Sequence, residues 1–170
     1  MSTSTEQWVK VFNDKAKRRI VLVCEHASNV VPSNFNGLGL SRQQLQSHIA
    51  WDLGALSTAK LMAKKLDATL VASQVSRLLY DCNRPPESPS AIPLTSENQP
   101  IPGNVGLSME ARQQRVTDYY RPFEAAVAKL VSSMGTPLII TVHSFTPVFL
   151  GQQRQVEIGV LHDQDSRFAD

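Results

Sequence analysis

Apolar and polar residues follow one another along this chain in blocks that switch between the strand period and the helix period. Arg19 to Cys24 is a nearly continuous β-branched and apolar run, the pattern of a strand buried on both faces. A loop follows through Pro32, Asn34, Asn36, Gly37 and Gly39, and Ser41 then opens a helical stretch with Gln44 in the capping-box position. Leu53, Leu56, Ala59, Met62 and Leu66 recur at helical spacing and predict a second helix with these residues on one face. Ala68 to Ala72 reads as another strand, and Ser76 to Tyr80 as a further extended segment. Pro85, Pro86, Pro89, Pro93, Pro100 and Pro102 then mark a long loop, of a length that is usually functional or mobile. Ser108 starts the longest helix, whose face of Val116, Tyr119, Phe123, Val127, Leu130 and Met134 keeps its period through Pro122 and ends at Gly135. Pro137 to Val142 and Gln155 to Leu161 complete the series as strands.

This alternation predicts an α/β fold with a central mixed, mostly parallel sheet flanked by helices. With 170 residues the chain reads as one α/β domain spanning 1–170, able to bury roughly 70% of the surface its unfolded form exposes. Apolar content of 42%, charged content of 19% and a net charge of +2 describe an ordinary soluble globule. Its basic residues are scattered rather than striped, so a nucleic acid partner is not expected. No run is long enough to cross a bilayer, and the amino-terminal Met-Ser-Thr-Ser-Thr-Glu-Gln-Trp lacks the apolar core of a signal peptide. A cytoplasmic protein without a membrane partner is expected. Cys24 and Cys82, at or just after predicted strand ends, suit reduced thiols better than a lone bridge.

Candidate chemistry concentrates at strand ends. Two strands run straight into a histidine beside small polar residues, in Arg19-Ile-Val-Leu-Val-Cys-Glu-His26-Ala-Ser and in Leu138-Ile-Ile-Thr-Val-His143-Ser144. Carboxyl ends of strands are where α/β proteins assemble sites. A hydrolytic zinc site takes imidazoles and a carboxylate and keeps one position for water. His26 and His143 supply the imidazoles, and Asp52, in His48-Ile-Ala-Trp51-Asp52-Leu-Gly54-Ala, is a candidate for the carboxylate. Taken alone, Asp52 equally fits a helix N-cap, and a single strand-end histidine fits a hydrogen-bonded structural role. Cys24 is not paired with His26 as a nucleophile, because the segment reads as core. A second cluster, Ser76-Arg77-Leu-Leu-Tyr80-Asp81-Cys82-Asn83-Arg84-Pro85, offers arginine forks that bind carboxylates, with Asn83 as a further donor. Its plainer reading is a salt-bridged turn in which Asp81 pairs with one of the arginines.

Together these segments resemble the N-formylglutamate amidohydrolase family in order and spacing: His26-Ala-Ser28 with Val31-Pro32, Trp51-Asp52-Leu-Gly54-Ala, Ser76-Arg77, Asp81-Cys-Asn83-Arg84-Pro85 and His143-Ser144. The likeness runs from about Ile20 to the last residue. It implies a three-layer α/β/α fold similar to zinc carboxypeptidases and succinylglutamate desuccinylases. It further implies His26, Asp52 and His143 as ligands of zinc, or of another divalent ion, and Arg77, Asn83 and Arg84 as holders of the carboxylates of a small N-acyl acidic amino acid. The implied reaction is hydrolysis of N-formyl-L-glutamate to formate and glutamate. The proton shuttle is then Glu25 or Glu157, the glutamates near predicted strand ends, although alternation turns Glu25 away from His26 if the strand persists. A related N-acyl amino acid or a peptide C-terminus is the alternative substrate, since arginines specify charge rather than the acyl group. Family members generally continue past the segment matching Gly159-Val-Leu-His162-Asp163, whereas this chain stops at Asp170, with Ser166 to Asp170 reading like a helix just beginning. A fragment, a truncated chain or a short variant is therefore expected, and a general base lying in the missing portion would leave a protein that binds metal and carboxylate but turns over poorly.

Overall fold

The computed structural model describes residues 6–162 and Gln164. Four strands form the main sheet: β1 (Val9–Phe12), β2 (Ile20–Cys24), β3 (Thr69–Ser73) and, after two short strands, β6 (Leu138–Thr141). The short strands β4 (Thr95–Ser96) and β5 (Gln99–Pro100) pair with each other, as do β7 (Val148–Phe149) and β8 (Gln152–Gln153). The main sheet has the order β1-β3-β2-β6, with β2 parallel to both β3 and β6 and only β1 antiparallel. The sheet is mixed and mostly parallel, and β2 lies inside it, which explains its unbroken apolar sequence.

Each face of the sheet carries its own hydrophobic layer. Val21, Val23 and Val71 point to one face and join Val116, Tyr119 and Phe123, from the helical run made of α3 (Met109–Arg115), a wide turn (Val116–Tyr120) and α4 (Arg121–Met134). Leu22, Cys24, Leu70 and Ala72 point to the other and meet Ala55, Ala59 and Ala63 of α2 (Ala55–Leu66). The result is the three-layer α/β/α arrangement. The α2 contact is a stripe of alanines that lets the helix lie close to the sheet, while Leu53 and Leu66 of the predicted apolar face are left exposed.

Pro122 explains why the long helix is interrupted without being broken. The Arg121 N–H donates to Val116 O, five residues back, and this wide turn makes room for the proline ring that an uninterrupted α-helix would drive into a preceding carbonyl. Gly135 ends the helix at φ 77°, a backbone that suits glycine. The helix α1 (Arg42–Gln46) carries the capping box expected of Ser41 and Gln44.

Two sequence expectations change, and two features go beyond them. Ser76 to Tyr80 is a turn rather than a strand, because the Ser76 carbonyl accepts from Leu79 N–H and Tyr80 N–H while its hydroxyl accepts from Leu78 N–H. Gln155 to Leu161 is exposed and forms no ladder; without a partner strand, β propensity alone does not make a strand. The run ending at His143 is a half-exposed edge strand, with Ile139 48% exposed. Val9-Lys-Val-Phe12, whose alternation is the signal of β1, was not anticipated as a strand. Ser166 to Asp170 lies outside the described residues.

The long proline loop is anchored rather than loose. Arg115, almost fully buried, donates to Leu79 O, Gly103 O and Asn104 Oδ1, while Asn104 Nδ2 donates to Leu78 O and Pro93 O. These bonds fix both ends of the segment that carries Arg77 to Arg84. Among the described residues no helix is long and apolar enough to cross a membrane.

Candidate metal centre and its cavity

Because β2, β3 and β6 run parallel, the segments that leave them emerge at one edge of the sheet. His26 follows β2, His143 follows β6, and Asp81 follows the turn beyond β3. Asp52 is brought in by its backbone, whose N–H donates to His26 O at 3.0 Å. It is not the cap of α2, a position held by Gly54, so its carboxylate is free to face the histidines.

His26, Asp52 and His143 form a candidate metal site, each offering an atom within 4.8 Å of the others. Asp52 Oδ2 is 2.8 Å from His143 Nδ1 and 3.3 Å from His26 Nδ1. Adjacent donors around a tetrahedral zinc at ~2.1 Å stand roughly 3.4 Å apart. The His26 contact is close to that spacing, and the His143 contact would need to open by about 0.6 Å. Two imidazoles and one carboxylate are also a donor set that zinc accepts.

The far nitrogens of both imidazoles face carboxylates too. His26 Nε2 lies 2.7 Å from Asp81 Oδ1, and His143 Nε2 lies 3.5 Å from Glu25 Oε2, a buried oxygen with no hydrogen-bond partner. A proton on His26 Nε2, donated to Asp81, leaves the Nδ1 lone pair for a metal. Arg77 spans the back of the site, with Nη1 3.4 Å from Asp52 Oδ1 and Nη2 3.1 Å from Asp81 Oδ2. The pairing of Asp81 with an arginine is thus present, as part of the site's wall.

These contacts set the charges. Burial works against an ionised His26, yet its hydrogen bonds to Asp52 and Asp81 outweigh this and raise its pKa. Burial would raise Asp52 and Asp81, but the histidine contacts hold both carboxyls below their usual range. Cys24 and Cys82 are each pushed up to about 12, chiefly by burial, and are poor nucleophiles.

A cavity of about 580 Å³ opens beside the centre, lined in part by Trp51, Asp52, Arg77, Phe145, Phe149 and Arg154. His48 and Glu97 close one side with a 2.8 Å contact. Asn83 and Arg84 are exposed outside this lining, and Arg84 Nη1 donates to Asn83 O. Glu25 comes to the centre because β2 ends at Cys24, so strand alternation no longer turns it away from His26. Glu157 is exposed on the unpaired stretch after β8. Sequence reasoning gave Asp81 only a pairing role and missed Arg154; the first shares one segment with Arg77, and the second had no motif around it.

A model of the N-formylglutamate amidohydrolase family matches residues 18–170. The crystal structure of gene product Atu2144 from Agrobacterium tumefaciens is similar at a TM-score of 0.91 and 50% sequence identity, over 95% of this chain and 66% of that one. This chain spans just under two thirds of that protein's length. No curated protein matches.

Proposed function

The chain belongs to the N-formylglutamate amidohydrolase family, and on that premise we propose that it hydrolyses the amide of an N-acylated acidic amino acid, with N-formyl-L-glutamate as substrate. The observation that carries this reading is the convergence of His26 Nδ1, Asp52 Oδ2 and His143 Nδ1 beside a cavity. These residues would hold zinc. The ion, when bound, supplies an electrophile for the amide carbonyl and lowers the pKa of water toward 7.

The remaining work falls to side chains of this chain. Asp81 keeps the His26 proton on Nε2, and Arg77 holds the Asp52 and Asp81 carboxylates in place. Arg77 borders the cavity with 32% of its side chain exposed, so its unengaged N–H groups are available to a substrate carboxylate. Asn83 and Arg84, next along the same segment, are proposed as further carboxylate holders at the rim.

Hydrolysis adds water across the amide. The water oxygen bonds to the formyl carbon, the C–N bond breaks, and the proton lost by water ends on the leaving amine. Glu25 is the proposed carrier of that proton, supported by its buried, unpartnered Oε2 at 3.5 Å from His143 Nε2. Glu157, exposed on an unpaired stretch, has no such support.

One observation favours a second reading, a metal- and carboxylate-binding protein without turnover. The carboxylates lining the cavity are Asp52 and Glu97, and each is already held by histidine. Formate release separates the two: zinc-loaded protein is expected to release formate from N-formyl-L-glutamate and to lose this in His26→Ala and His143→Ala. Ligand binding without formate would establish the second reading. A panel of N-acyl amino acids and peptides distinguishes N-formylglutamate from the alternative substrates.

A further inference from the structure

Of the basic side chains that line the cavity, Arg154 stands out for what it does not touch. Arg77 is engaged by Asp52 and Asp81, and His48 by Glu97. The Arg154 guanidinium makes no ion pair or side-chain hydrogen bond among the described residues; it lies over the rings of Phe145 and Phe149, 5.2 and 5.1 Å from their centroids. Its place in the chain is fixed as well, since the Arg154 N–H donates to Pro147 O at 2.8 Å across the hairpin of β7 and β8.

Ring contacts use the faces of a guanidinium and leave its N–H donors, which lie in the plane, unspent. A fork fixed on aromatic surfaces loses little freedom on binding, and planar bidentate recognition of a carboxylate is its strongest use. The cavity's volume of about 580 Å³ is in the range of small-molecule sites and extends from Asp52 to Arg154. We propose that Arg154 is the specificity-determining residue of this cavity, receiving the side-chain carboxylate of an N-acyl dicarboxylic amino acid while the amide lies toward Asp52 and the histidines. The assignment rests on the reading of the cavity as the substrate site. It divides the labour among the arginines: Arg77 serves the metal end, and Arg154 reads the second negative charge.

The test compares N-formylglutamate with N-formylglutamine, which replaces the side-chain carboxylate by a neutral amide of the same shape, on zinc-loaded wild type, Arg154→Met and Arg154→Lys. A charge-assisted hydrogen bond lost in the Met variant lowers kcat/KM for N-formylglutamate relative to N-formylglutamine about ten- to hundred-fold, mainly through KM. The Lys variant keeps the charge without the fork and recovers part of the preference. Calorimetric titration with glutarate, a dicarboxylate that cannot be hydrolysed, reads the same contact without turnover, and its affinity is expected to fall by a similar factor in Arg154→Met. Arg154-dependent glutarate binding in a wild type that releases no formate would keep the anion site and reject the reaction. Unchanged preference and unchanged glutarate affinity in Arg154→Met, or no glutarate binding by the wild type, would overturn the proposal.

Discussion

Replacing Asp81 by alanine probes the link between hydrogen bonding and metal binding. Asp81 is buried and receives His26 Nε2 at 2.7 Å, Arg77 Nη2 at 3.1 Å and the Asn83 N–H at 2.9 Å. Without it the His26 ring loses the contact that fixes its rotation and its proton, and Arg77 keeps only the 3.4 Å contact to Asp52. Loss of an outer carboxylate behind a ligating imidazole costs about ten- to hundred-fold in metal affinity, or ~1.4–2.7 kcal/mol. Competition with a chromogenic chelator measures this directly. Asp81→Asn should fall between wild type and Asp81→Ala, because its carbonyl can still accept from Nε2–H while the charge is gone. Nitrogen-15 NMR of the zinc-loaded wild type should show His26 protonated on Nε2. A folded Asp81→Ala protein that binds zinc within about twofold of wild type would refute the reasoning, since the expected loss starts near tenfold.

Other predictions concern stability and titration. A methyl group on Gly103 would sit 2.7 Å from Leu38 Cα, where backbone must move, so Gly103→Ala should lose about 1–3 kcal/mol; an unchanged urea midpoint would contradict that contact. Cys24 and Cys82, both raised to about 12, should resist disulfide reagents in native protein near pH 8 and react fully in denaturant; rapid native labelling would show that they are not buried. In the metal-free protein the raised pKa of His26 adds stability that is full below about 6.5 and is lost as pH rises through its folded value. The lowered pKa values of Asp52 and Asp81 add stability that is present above about 3.9 and is lost as pH falls through their folded values. Melting temperature with chelator should therefore decline from about pH 6 toward pH 9, and His26→Gln should flatten that decline; an unchanged slope in the variant would refute it.

Much of this molecule was legible in its sequence where a pattern reports a local cause. Buried β2 is a run of β-branched residues because both its faces are covered, and the Ser41 and Gln44 cap is written in the side chains that make it. Gly135 likewise marks where the helical run ends, whereas the widened turn before Pro122 departs from the unbroken helical period expected there. What escaped reading depends on partners distant in sequence. Val9-Lys-Val-Phe12 is too short to stand out until it pairs with β3, and Gln155 to Leu161 has strand residues but no ladder to join. The candidate metal residues were visible as strand-end histidines and an acidic neighbour of a helix, yet whether Asp52 would cap that helix or face the histidines was decided by its backbone bond to His26. Asp81 and Arg154 gain their meaning only from the atoms opposite them, His26 Nε2 for the first and two phenylalanine rings for the second.

The most direct test of the account is formate release from N-formyl-L-glutamate by zinc-loaded protein, measured beside His143→Ala and beside wild type stripped by chelator. The account predicts release by the wild type alone, restored to the stripped protein by zinc. Release that survives both the chelator and His143→Ala would contradict it, as would a zinc-loaded wild type that binds the compound and leaves it intact.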